Sequence, residues 1–101
     1  MSAYLIVRAE VPEGDVQAFD HWYETEHLPD AHKAFNAVSA RRGWSDVTPG
    51  IHIAIYEFRD LDHARASTGG EDIKALIAEF DRVWDGRVVR TRDCLLYTSP
   101  S

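Results

Sequence analysis

The sequence predicts an α+β domain in which helices cover a small antiparallel sheet. Residues 3–11 and 51–58 sort their side chains onto two faces with a period of two, one face largely apolar, the pattern of strands. Residues 16–27 and 73–84 instead repeat apolar side chains at helical spacing. Pro and Gly punctuate the stretches between these runs.

Residues 3–11 read Ala-Tyr-Leu-Ile-Val-Arg-Ala-Glu-Val, with Leu5, Val7, Ala9 and Val11 on one face. Tyr4, Ile6, Arg8 and Glu10 occupy the other. Pro12 and Gly14 close this strand, and Asp15 is a candidate helix cap. Val16, Phe19, Tyr23 and His27 then form one helical stripe, expected to stop at Leu28 because a residue before proline avoids the helical region. Residues 35–44 alternate loosely and predict a second strand, followed by a hairpin loop from Gly43 to Gly50. In residues 51–58, Ile51, Ile53 and Ile55 point one way and His52, Ala54, Tyr56 and Phe58 the other. Asp60 is placed to cap a short helix ending near Thr68, where Gly69-Gly70 breaks it. Ile73, Leu76, Ile77, Phe80 and Trp84 mark one face of a longer helix, and residues 88–97 predict the last strand.

The resulting β-α-β-β-α-β order is the split βαβ, ferredoxin-like arrangement, and 101 residues suit a single domain spanning 1–101. Two helices cover one face of a four-stranded sheet, yet the strands at 3–11 and 51–58 carry apolar side chains on both. A sheet buried on both faces needs a second cover. The economical cover is a second copy of the chain, so a homodimer through the sheet faces is expected.

The net charge is −6, and residues 13–30 contain six acids and no Lys or Arg. Nucleic-acid binding needs a basic patch, and the densest basic stretch is only Arg87, Arg90 and Arg92. An anionic membrane surface is disfavoured for the same reason. No apolar run reaches spanning length, and a strand pattern begins at once after Met1 with no basic leader, so a cytoplasmic location is expected. The single cysteine, Cys94, allows no intrachain disulfide and reads as an inert buried thiol.

The stretch Phe19-Asp20-His21-Trp22-Tyr23-Glu24-Thr25-Glu26-His27-Leu28-Pro29 resembles the dimeric α+β barrel superfamily. It is most similar to the EthD-like and antibiotic-biosynthesis-monooxygenase-like branches, where the first helix ends in Tyr-x-x-x-His-x-Pro. Proteins with this resemblance include cofactor-free oxygenases, lactone isomerases, polyketide cyclases and haem-handling proteins. The resemblance implies a pocket between helices and sheet in each subunit, a dimer through the opposite sheet face, and a pocket histidine at His52. The cyclases carry a further catalytic histidine after the short second helix. Here that loop reads Ser67-Thr68-Gly69-Gly70, a departure from their mechanism. The last residues, Leu95-Leu96-Tyr97-Thr98-Ser99-Pro100-Ser101, resemble a peptide encoded by sequencing-adapter DNA fused to genes from environmental samples. An ordinary frayed terminus is the alternative.

His27 is the leading candidate for chemistry, because an imidazole on an apolar stripe can move protons. Its plain alternative is a helix-end charge that suits the macrodipole. Tyr23, one turn earlier, is placed to bond a substrate oxygen or orient His27, or else to pack as a core aromatic. His52 is expected to polarise an oxygen. It shares a strand face with Tyr56 and, if the strands are neighbours, with Tyr4 and Arg8. Phe19, Tyr56, Trp84, Tyr4 and Asp93 are expected to line a substrate pocket, with Trp22, Trp44 and Trp84 also reading as packing residues. His63 reads as a surface residue. His21, His27 and His32 do not share a helical face, so no metal is expected. No glycine-rich phosphate loop is present, and no cofactor is expected. A haem would need an axial ligand, for which His27 is the candidate.

The expected function is a cofactor-independent enzyme on a small, apolar, oxygen-bearing substrate, aromatic, polyketide-like or lactone. His27 would act as acid/base in an isomerisation, cyclisation, dehydration or oxygenation. The alternative is a non-catalytic, homodimeric ligand-binding or stress-associated protein.

Overall fold

The computed structural model describes residues 2–96, and the side chains of residues 2–94. The readings on Tyr97 and on the adapter-like tail beyond Leu96 lie outside the described residues. The strands are β1 (Ala3–Glu10), β2 (Ser39–Trp44), β3 (Ile51–Phe58) and β4 (Val89–Leu96). They form one antiparallel sheet in the order β2-β3-β1-β4. The helices are α1 (Val16–Trp22), α2 (Leu28–Phe35), α3 (Leu61–Thr68) and α4 (Glu71–Trp84). A π-helical turn, Tyr23–His27, joins α1 to α2. This is the ferredoxin-like α+β architecture, with every helix on one side of the sheet.

The first helix does not stop at Leu28. The Leu28 N–H donates to the Tyr23 carbonyl five residues back, so the helix widens for one turn. Pro29 then falls in the first turn of α2, where its missing N–H costs nothing, and the helix continues to Phe35. Asn36 closes it in the left-handed region at φ 51°. The second strand is shortened as a result and begins at Ser39 rather than residue 35. Asp15 does not cap α1; its carboxylate lies 3.4 Å from Arg87 across the fold. Asp60 does cap α3, accepting from the His63 N–H at 2.8 Å.

Register settles which residues share a face. Leu5 lies opposite Tyr56 and Ala9 opposite His52, so the odd residues of β1 share the helix-covered face with the even residues of β3. Ala3, Leu5, Ala9, Ala54, Tyr56 and Phe58 are buried there against Phe19, Phe35, Ile73, Leu76 and Phe80. Tyr4 and Arg8 lie opposite Glu57 and Ile53 on the uncovered face. The expectation that they join His52 and Tyr56 is therefore wrong. Two strands can each alternate and still be offset by one residue relative to each other, and alternation alone does not reveal the offset. Asp93 pairs with Ile6 on the same uncovered face and is exposed. Cys94 is exposed rather than buried. His63 packs edge-on against Phe58, its Nδ1 accepts the Arg59 N–H at 3.1 Å, and its Nε2 is buried, so it is not a solvated residue.

Candidate functional site

Between the sheet and the helices lies a cavity of about 230 Å³. Its floor is Leu5 and Val7 of β1 and Tyr56 of β3, and its roof is α4 with Ile73, Leu76, Ile77 and Phe80. Tyr23 and His27 enter from the π turn, Ala31 and Phe35 from α2, and Arg90, Thr91 and Arg92 from β4. The volume lies at the small end for ligand pockets and suits a molecule of one or two rings.

The π turn decides what His27 touches. Bonding from residue i to i−5 brings side chains five apart onto neighbouring turns. Trp22 and His27 accordingly stack, with ring centroids 4.7 Å apart and planes at 19°. Tyr23 and Phe80 meet the imidazole edge-on at 4.9 and 5.6 Å. His27 is 9 % exposed. Burial, reinforced by the positive charge of Arg90, lowers its pKa to about 4, so the ring is neutral at physiological pH.

Beside it the Tyr23 and Tyr56 hydroxyls share a buried hydrogen bond of 3.0 Å. Burial pushes the Tyr23 phenol up to about 12 and raises Tyr56 further. Both stay protonated at neutral pH. In such a pair one hydroxyl hydrogen is used internally, which leaves the other available to a third oxygen.

His52 stands behind this group and does not line the cavity. It is 1 % exposed and packed between Phe19, Tyr23 and Trp44. Its Nε2 lies 3.3 Å from Arg42 Nη1, a permanent donor, so Nε2 is the unprotonated nitrogen. Arg42 also donates to Asp20 Oδ1 at 2.8 Å, and Trp44 Nε1 donates to the same oxygen at 2.7 Å. These bonds hold the Asp20 carboxyl below its usual range. Burial and the Arg42 charge bring His52 to about 4. It is a satisfied polar group of the core that buttresses the Tyr23 ring, at 4.4 Å between centroids.

Of the residues singled out in the sequence, the structure thus gathers Tyr23, His27 and Tyr56 around one cavity. Phe19 and Trp84 are buried in the aromatic cluster at its back, 5.2 Å apart. Tyr4 and Asp93 are on the far side of the sheet. Sequence reasoning missed Arg90 and Arg92. They pair with Ala9 and Val7, which places them on the covered face of β4. Their alternation with Val89, Thr91 and Asp93 is the signal that could have found them. Among the described residues no three His, Cys, Asp or Glu side chains gather as a metal site, and no helix is long and apolar enough to cross a membrane.

The fold and cavity define a ferredoxin-like α+β protein with a pocket between its sheet and its helices. No protein-family model matches the sequence, and no curated protein is significantly similar to it. Solved structures do match. An EthD-family protein from Bacillus halodurans superposes with a TM-score of 0.71 at 19% identity, over 92% of this chain and 97% of that one. An antibiotic biosynthesis monooxygenase-like protein from Nitrosomonas europaea gives 0.69 at 13% identity, over 99% and 93%. SnoaB, a cofactor-independent oxygenase from Streptomyces nogalater, gives 0.65 at 12% identity, over 98% and 95%. Identities this low establish the shared fold and nothing finer.

Proposed function

We propose that the chain is a cofactor-independent enzyme that moves a proton on a small, apolar, oxygen-bearing substrate. The observation that carries this reading is a neutral imidazole, His27, facing the cavity beside two protonated tyrosine hydroxyls. A neutral imidazole is a base. His27 takes a proton from a C–H or O–H of the substrate. The electron pair left behind moves onto the substrate oxygen, which accepts the free hydroxyl hydrogen of the Tyr23–Tyr56 pair. Return of the proton from His27 to another carbon completes an isomerisation. Attack of the anion on a second carbonyl of the substrate, with the proton passed to the new alkoxide, completes a cyclisation. Delivery of the proton to a departing hydroxyl, released as water, completes a dehydration. Capture of the anion by dioxygen leads to oxygenation. The first proton transfer is common to all four. Cofactor-independent oxygenation by SnoaB on the same fold supports the reading by analogy. His52 contributes indirectly, by holding the Tyr23 ring. The cavity volume argues against a porphyrin and so against the haem reading.

The working unit in this proposal is a homodimer. Ile6, Ile53, Ile55 and Tyr4 are only half-buried on the uncovered face of the sheet, an apolar surface that a second copy would remove from water.

The test is His27→Gln. Loss of a general base lowers turnover on the order of 10²–10⁴-fold, with the fold and any dimer intact by circular dichroism and sedimentation. In the parent enzyme kcat/KM should fall as pH drops through about 4, where His27 takes up a proton. Ligand handling unchanged in the variant would favour the non-catalytic binding protein instead.

A further inference from the structure

The charge on the cavity contrasts with that of the molecule. The chain as a whole carries a net charge of −6. The charged side chains lining the cavity are nevertheless both arginines, Arg90 and Arg92, and among the described residues no carboxylate lines it. The two alternate on β4, opposite Ala9 and Val7, and so face the same way about 6.6 Å apart along the strand. Arg90 is half-buried. Its guanidinium lies 3.9 Å over the Phe80 ring, and its Nη2 is 3.2 Å from Asp81 Oδ1. Asp81 is largely exposed and outside the cavity, and it meets one edge of one guanidinium. Arg92 makes no ion pair among the described residues.

Two like charges on one face of a strand, only one of them met by a carboxylate, leave a deficit of negative charge on that side of the cavity. A purely apolar occupant would press against both guanidinium groups and strip their water without compensation. A cation would be repelled. A carboxylate accepts from guanidinium N–H donors in a fork geometry and offsets both charges.

We propose that the cavity takes an aromatic carboxylate, its ring against Phe80, Leu76 and Ile73 and its carboxylate held by Arg90 and Arg92 at β4. This rests on the cavity being a ligand site, as argued above, and adds the chemical class of the ligand. Phe80 has a double role, since its ring supports Arg90 and borders the space for the ligand's own ring. The charge of Arg90 is also felt at His27, where it adds to burial in lowering the pKa, and at Tyr23, where it partly opposes the rise that burial causes. A carboxylate at Arg90 would partly neutralise that charge and make His27 more basic once the ligand is seated.

The experiment is a calorimetric titration of the whole chain with a matched pair of probes, naphthalene carboxylate and naphthalene carboxamide. They share one shape and differ in charge. A charge-assisted bond predicts that the carboxylate binds at least about tenfold tighter, with the preference shrinking at high salt. Arg92→Gln, at an exposed position, should erase much of that preference and leave carboxamide affinity unchanged. Arg90→Gln should also erase much of that preference, with some loss of carboxamide affinity as well because the Phe80 ring loses its guanidinium cover. Equal affinity of the two probes for the parent chain would overturn the anionic class and leave the cavity as a site for neutral ligands. A carboxylate preference undiminished in both variants would overturn the assignment to these arginines. Binding of neither probe would overturn this inference together with the ligand-binding reading beneath it.

Discussion

His27 and His52 are both held neutral, one facing a cavity and the other in a closed polar network. Each has a folded pKa of about 4 against an ordinary value of 6.5. The unfolded chain therefore binds protons that the native chain refuses between these values. Stability is complete above about pH 6.5 and is lost as the pH falls towards about 4. A displacement of this size corresponds to about 3 kcal/mol for each ring. Urea denaturation at neutral pH and near pH 4 should show this loss, and His27→Gln should remove about half of it. A midpoint that does not move across that range would mean that the rings are not buried neutral. Asp20 acts lower on the scale. Its folded pKa is also depressed, so its share is present above the ordinary carboxylate range and lost only below it. The two histidines look alike in the sequence. Their partners separate them, because Arg42 satisfies His52 whereas aromatic rings surround His27.

The elements were legible where a pattern was local and illegible where it depended on a partner strand. The alternation of 51–58 and the stripe of 73–84 translate directly into β3 and α4. Pro29 misleads because its usual effect assumes an α-helical ladder, and the π turn before it supplies a different one. The candidate site suffered from register in the same way. Tyr23, His27 and Tyr56 could be found on their own elements, but the sides taken by Tyr4, Asp93, Arg90 and Arg92 follow from which residue of β1 faces which residue of β3 and β4. One loop makes a sharp prediction of its own. Gly50 has φ 80°, and a Cβ there would stand 2.7 Å from the Val11 carbonyl oxygen, which cannot move without shifting the end of the core. The Gly50 carbonyl also accepts from the Val11 N–H at 2.8 Å, so the β2–β3 loop and the chain after β1 are fastened together. Gly50→Ala should cost roughly 1–3 kcal/mol in chemical denaturation, and an unaltered midpoint would show that this contact yields freely.

At the scale of the molecule, the sheet divides two jobs. One face carries the helices and the cavity, and the other carries half-buried apolar side chains. Ile55 lies at the middle of that second face, opposite Ile6 of β1 and Arg41 of β2. Ile55→Arg should leave the subunit within about 0.5 kcal/mol of its stability while driving the sedimenting species from dimer to monomer. A parent chain that sediments as a monomer at micromolar concentration would remove the dimer proposal altogether. Consider what this division means when two subunits join through their uncovered faces. The cavities then point away from each other, with two sheets about 10 Å apart between them. Neither lends a side chain to its neighbour's reaction, and neither has a short path by which to report occupancy. Mixed dimers of one parent and one His27→Gln subunit should therefore keep half the turnover of the parent dimer, and saturation should follow a simple hyperbola. The second copy would give each protomer shelter from water and no say in its chemistry.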